Sequence, residues 1–281
     1  MISDNRYKIK CVISSLLSFL VCLLSFFLVF AVIFRITILN EKFMIKAMDK
    51  SNFYYQVKDE AEDKMALFSG TSGFDKEFFD GIIDIDMIKE DANSIVHSIY
   101  SNEYSDINVS DFKNMLYNKF IEEANNRNEE ITDQTRESLE YFAETCVGNY
   151  LDVIKIPFYR QISSVINLFT KPIDIAIFVL SIAILFIGLF IFLISKWRSI
   201  RYYIYALEGL ILFSIIIPSI YFISGKVQKI SIANKALKNF IIKFMDMTFY
   251  QFIYASVIFI IFTIILMIFY SKLSNKKDNK S

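Results

Sequence analysis

A single histidine, three cysteines, three prolines and seven glycines serve a chain of 281 residues, and each scarcity removes a class of chemistry. With His97 alone, neither an HExxH pair nor any multi-histidine metal site can be assembled. The few glycines form no GxSxG, GxxxxGKS/T or GxGxxG arrangement, so no nucleophile elbow or phosphate-cradling loop is encoded. Cys11 and Cys22 fall in one apolar run and Cys146 stands by itself in a polar region, which rules out a disulfide within that region. The acidic pairs Asp84 and Asp86, Glu90 and Asp91, Glu122 and Glu123, and Glu129 and Glu130 lack the register of an EF-hand, Gly81 being out of step with them. They read as solvated helix faces. The expectation is a non-enzymatic protein with no catalytic, metal or cofactor-binding residues.

What is abundant is apolar: 54% of the residues are hydrophobic, 29 of them Phe, and the mean hydropathy is +0.41. These residues gather in four runs, 11–34, 173–195, 202–224 and 250–270, each close to the roughly 20 residues that a helix needs to cross about 30 Å of hydrocarbon. The sequence therefore predicts an all-α polytopic membrane protein with four transmembrane helices. A helical-bundle ectodomain, residues 35–172, lies between the first and second. The first run reads as an uncleaved anchor, because its far end, Val29 to Arg35, offers no small-residue cleavage pattern.

Orientation follows from the Lys and Arg near the ends of these runs. Arg6, Lys8 and Lys10 precede the first, Lys196, Arg198 and Arg201 join the second to the third, and Lys272, Lys276, Lys277 and Lys280 follow the fourth. Four crossings put all three segments on one side, the cytoplasm of a plasma membrane, with the large domain outside. Trp197, Tyr202, Tyr203 and Tyr205 suit an inner aromatic belt, and Tyr221, Tyr250 and Tyr254 an outer one. The cytoplasmic pieces total 27 residues, too few for a folded signalling domain.

The zero net charge hides two opposed halves. Residues 35–172 hold 25 Asp and Glu against 15 Lys and Arg, a balance of −10, while the remainder carries +10. An acidic outer domain repels nucleic acid. Within it, Leu39 to Phe68 is expected as one or two helices broken near Ser51 and Asn52, followed by a turn at Ser69 to Gly73. Ile85, Ile88, Ala92, Ile95, Val96 and Ile99 recur at helical spacing, with Asp84 or Asp86 placed to cap. Ser110 opens a helix with Phe112, Met115, Leu116, Phe120 and Ala124 on one face. Thr132 opens another, striped by Leu139, Phe142, Ala143, Cys146, Val147, Tyr150, Leu151 and Ile154 and interrupted at Pro157. The Asn108-Val109-Ser110 sequon is set aside because the composition reads as bacterial.

Three features invite a functional reading. Lys226, Lys229, Lys235, Lys238 and Lys243 put +4, after Asp246, on residues 225–249, which four crossings place outside. With Val227, Ile230, Ala233, Leu237, Phe240, Ile241 and Phe244 at helical intervals, this segment is expected as an amphipathic helix coupled either to anionic lipid or to the acidic ectodomain. Glu208 lies about 9 Å into the third run from Tyr202. Such a carboxylate is either functional or neutralised by snorkelling or by Arg198 or Arg201. Asp174, by contrast, is expected at the first turn of the second membrane helix after Pro172, where it complements the helix N-terminus. Ser14, Ser18 and Cys22 form a small-residue stripe for close helix packing, inside the bundle or in a homodimer. Cys146 is expected in a core, an exposed position instead permitting an intermolecular bridge.

One crossing, a large outer domain and three further crossings resemble the layout of the FtsX and MacB type of ABC-exporter subunit, but the ten residues before Cys11 and the all-helical outer domain depart from it. The chain is more similar to uncharacterised four-span membrane proteins of low-GC Gram-positive bacteria, in its first run leading into N-E-K-F and S-N-F-Y-Y at Asn40 and Ser51 and in its helical outer domain. That resemblance covers most of the chain and implies no activity. The residues favour an envelope protein whose ectodomain binds a protein or ligand partner outside the bilayer, as sensor, scaffold or accessory subunit. The alternatives are a transporter or transport-complex subunit using Glu208 with Gln251 and Thr263, and an intramembrane or interfacial enzyme using Glu208 or His97.

Overall fold

The computed structural model of the protein describes residues 2–101, 103, 107 and 109–278. Asn108 and Lys280 lie outside the described residues, as do the side chains of Arg6, Lys276 and Lys277. The fold is all-α, with no strand among the described residues. It divides into two compact units: an acidic unit of Glu41–Asn167 with Ser231–Phe244, and an apolar unit made of the rest.

The acidic unit begins with α2 (Glu41–Lys50) and α3 (Phe53–Ala66), following α1 (Ile2–Ile36) of the apolar unit. The break between them falls at Ser51 and Asn52, where Asn52 takes φ 56°, a left-handed conformation that Asn tolerates better than most side chains. The Gln56 side chain donates to the Ser51 carbonyl and holds the corner. The expected turn at Ser69 to Gly73 is instead one helical turn, α4 (Ser69–Ser72), ended by Gly73 at φ 77°. That is a conformation glycine adopts without steric cost.

The next stretch places Phe74, Phe78 and Phe79 around a 3₁₀ turn at Lys76–Phe79. Their rings join Phe68, Phe120 and Phe142, with centroids of contacting pairs 4.9 to 6.3 Å apart, in a mixture of stacked, tilted and edge contacts. This cluster ties the linker to α6 (Val109–Asn126) and α7 (Asp133–Ile154). Between them in sequence lies α5 (Ile85–Ser101), which buries Ile88, Ala92, Ile95, Val96 and Ile99. Asp84 caps it by accepting from the Asp86 amide at 2.9 Å, and Thr132 caps α7 by accepting from the Thr135 amide. Helix α7 stops at Ile154, and Pro157 occupies the non-helical link to α8 (Tyr159–Ser195).

The apolar unit contains α1, most of α8, α9 (Ser199–Ser224) and the larger part of α10 (Lys235–Asp278). Three helical stretches, Tyr7–Ile36, Asp133–Lys229 and Lys235–Asn275, are long and apolar enough to cross a membrane. The second contains both α8 and α9, separated by a 3₁₀ turn at Lys196–Arg198 in which Lys196 takes φ 49°.

Two sequence expectations are corrected here. Pro172 sits inside α8, because the 13 residues before it are already helical; the only backbone loss is the amide that proline lacks, which neighbouring helices tolerate. Asp174 is therefore not in a first turn. The second correction concerns residues 225–249: only a 3₁₀ turn at Val227–Lys229 precedes α10, which then runs from Lys235 without a break through the last apolar run. Val227, Ile230 and Ala233 consequently share no helix with Leu237, Phe240, Ile241 and Phe244.

Candidate functional site

Within the acidic unit, the first turns of α10 are seated on α2, α3 and α7. Asn234 caps the helix, its side-chain oxygen accepting from the Leu237 amide at 2.7 Å, and its own amide group donates to the Val153 carbonyl at 2.8 Å. One turn further on, Asn239 donates to Gln56 Oε1. Phe240 lies 5.8 Å from Phe53 and Phe244 lies 5.5 Å from Phe43, ring centre to ring centre, while Ala236, Leu237 and Phe240 are buried. Of the five candidate lysines, Lys235, Lys238 and Lys243 belong to this unit and Lys226 and Lys229 to the apolar one. None of the five forms an ion pair among the described residues. The segment is held by apolar and amide contacts, although residues 41–167 carry 25 acidic against 13 basic side chains. Sequence reasoning missed Asn234 and Asn239; the spacing of Asn234 three residues before Leu237 is a capping signal that could have located the helix start.

In the apolar unit, the small-residue stripe meets the end of α8 and, beyond it, α9. Ser14 Oγ lies 2.7 Å from Ser195 Oγ, Ser18 donates to the Tyr202 carbonyl at 2.6 Å, and all three stripe residues are buried. Opposite Cys22 stands Gly209, where an added Cβ would come within 2.5 Å of the Cys22 sulfur. The missing side chain is what lets the backbones approach, as at other small-residue crossings. Val21, Cys22, Ile191, Tyr202, Ala206 and Leu210 form the surrounding core. The stripe is thus used inside the chain.

Glu208, next to Gly209, is exposed on α9 and makes no hydrogen bond or ion pair among the described residues. The guanidinium groups named as its partners are engaged with rings: Arg198 over Tyr7 and Trp197, Arg201 over Tyr202. Gln251 and Thr263 donate to carbonyls of their own helix, Met247 and Phe259, so the polar set required for a transport path is not assembled by mutual contacts. Tyr203 and Tyr221, expected in the aromatic belts, also join helices: Tyr203 donates to the Gly188 carbonyl and Tyr221 to Asp246, with the Tyr221 ring stacked 3.9 Å from Phe249.

Asp174 accepts from Arg35 Nε at 2.7 Å, while Arg35 also donates to the Leu39 carbonyl. The carboxylate serves a cross-helix ion pair between α1 and α8, not a helix terminus. His97 lies 3.2 Å from Glu41 and is well exposed, which supplies no nucleophile to pair with it.

The titratable groups of the acidic unit are set by burial. Tyr150 donates to Asp91 at 2.6 Å; burial raises the Asp91 carboxyl above its ordinary range, and the Tyr150 hydrogen bond only partly opposes this. Burial and, secondarily, Asp49 push Tyr54 up to about 12. Cys146 is fully buried and its thiol is pushed up to about 12, which removes the intermolecular bridge as an option. No group of three or more metal-ligating side chains occurs among the described residues.

No protein family, curated protein or solved structure matches the chain.

Proposed function

We propose that the protein is a non-enzymatic integral protein of a bacterial cell envelope whose acidic helical unit binds a protein partner outside the membrane, as a sensor, scaffold or accessory subunit. In this reading α1, α8, α9 and α10 are four crossings, the Lys196–Arg198 turn dividing the long apolar stretch in two. Both termini and that turn are cytoplasmic on the positive-inside rule. The layout keeps the proposed likeness to four-span proteins of low-GC Gram-positive bacteria.

The observation that carries the reading is on the acidic unit. Leu67 and Tyr141 are 79% and 73% exposed, and each adjoins a member of the Phe68–Phe142 ring pair, whose centres lie 6.3 Å apart. Large apolar side chains presented beside a rigid aromatic cluster, on a unit otherwise rich in acids, suit an anchor for another protein. Helices α8 and α10 each contribute residues to both units.

A photoreactive phenylalanine derivative at position 67 or 141, used in native membranes, tests this. The expected result is one reproducible heterologous protein adduct from both positions and none from Arg136. Absence of any adduct contradicts the proposal, and an adduct of the chain with itself replaces it by a homo-oligomer. The transporter alternative rests on the exposed, unpaired Glu208; under the binding reading, Glu208→Gln leaves the adduct yield unchanged.

A further inference from the structure

At one end of the apolar unit, the N-terminal part of α1 and the link between α8 and α9 enclose a cleft of about 320 Å³. Lys10, Lys196, Arg198 and Arg201 line it together with Tyr7 and Trp197. No Asp or Glu does. The two segments lie far apart in sequence, so the fold adds Lys10 to the local run of Lys196, Arg198 and Arg201.

Basic residues flanking membrane helices are commonplace, but three features distinguish this group. First, the cations are positioned by rings: the Arg198 guanidinium lies 5.3 Å from the centre of Tyr7 and 5.6 Å from that of Trp197, and Arg201 lies 5.4 Å from Tyr202. Stacking of this kind fixes the guanidinium plane while leaving its N–H edge available. Second, Arg201 Nε is buried without a hydrogen-bond partner, so the guanidinium is not fully satisfied within the chain. Third, the left-handed turn at Lys196, φ 49°, ends α8 and brings Lys196 into the cleft lining with Arg198 and Arg201. Four cations with no counter-charge among the described residues repel one another, and a polyvalent oxyanion offers both neutralisation and acceptors for planar N–H forks.

We propose that this cleft binds a phosphate group, held by Arg198 and Arg201 with Lys10 and Lys196 completing the charge. Two sources share this chemistry: the headgroup of an anionic phospholipid in the adjoining leaflet, and a soluble phosphate ester. The inference rests on the membrane reading above.

The protein's single tryptophan is Trp197, so tryptophan emission, excited at the red edge where the 16 tyrosines absorb little, reports on this cleft alone. The full chain is placed in nanodiscs of neutral phosphatidylcholine, and in others that also contain phosphatidylglycerol. Inorganic phosphate and glycerol phosphate are titrated into the neutral discs. A saturable Trp197 shift with phosphatidylglycerol alone assigns a lipid headgroup; the same shift with the soluble phosphates assigns a soluble ester. In either case Arg198→Gln combined with Arg201→Gln weakens the response about tenfold or more, whereas Lys226→Gln with Lys229→Gln, removing equal charge elsewhere, leaves it intact. A wild-type protein that inserts yet shows no response to any of these anions, or an undiminished response in the arginine variant of unchanged helical content, overturns the site. Insertion is read separately from co-elution with the discs. Failure to insert overturns the membrane reading and this inference together.

Discussion

Asp91 and Tyr150 show how individual residues in the acidic unit set its pH response. The Asp91 carboxylate is half-buried and accepts from Tyr150. Because its folded pKa is raised, its contribution to stability is complete below the unfolded value of about 3.9 and is lost as pH rises through the folded value. Tyr150→Phe at neutral pH therefore leaves a half-buried charge unsatisfied and lowers stability by roughly 1–3 kcal/mol. Asp91→Asn keeps an acceptor without the charge, changes stability little at pH 7 and flattens the dependence on pH. Urea denaturation of the two variants, followed by circular dichroism across acid and neutral pH, separates them; equal losses contradict the assignment. Cys146, fully buried with its thiol raised to about 12, is expected to react with maleimides only after denaturation, since the thiolate is the nucleophile. Mass spectrometry of labelled native protein checks this. Its burial was legible in the stripe of α7, whereas the Tyr150 hydrogen bond was not, because the partner lies 59 residues away.

For the helices, the tightest test is the crossing of α1 and α9. A methyl group at position 209 meets the Cys22 sulfur at 2.5 Å but the Cys22 Cβ at an ordinary 3.8 Å. Gly209→Ala should destabilise by about 1–3 kcal/mol through overpacking, and Cys22→Ala in the same chain should restore most of the loss, as measured by thermal unfolding in detergent. Additive losses contradict the packing. The stripe of Ser14, Ser18 and Cys22 announced a close contact from i, i+4 spacing alone, but only the fold identifies α9 as its recipient. Helix α10 shows the opposite balance. Its apolar residues were readable as a periodic face, yet their continuity with the last apolar run was obscured because lysines interleave with them. Asn234→Ala, which removes both the cap and the bond to Val153, is expected to cost about 1–2 kcal/mol of stability. The α8 boundary was misread for a related reason: Pro172 looks like a start signal, but inside a long apolar helix it is tolerated, which moves Asp174 into an ion pair with Arg35.

The whole molecule pairs an acidic helical unit with an apolar one whose basic residues lie mostly near the ends of its apolar runs, among them 6–10, 196–201 and 272–280. Composition and hydropathy were enough to expect both, because burial in lipid and solvation in water demand different residue types over long stretches. The sequence left residues 225–249 open between anionic lipid and the acidic domain; that 231–244 belong to the acidic unit depends on Phe53, Phe43 and Gln56, far away in sequence. The central claim is that the acidic unit and residues 225–234 face the outside while the 196–201 link faces the cytoplasm. It is tested most directly by single cysteines at positions 141, 226 and 196 in a chain with its native cysteines replaced, treated in intact cells with a membrane-impermeant maleimide. The account predicts labelling at 141 and 226 without permeabilisation and at 196 only after it. Labelling at 196 in intact cells, or protection of 141 or 226, would contradict it.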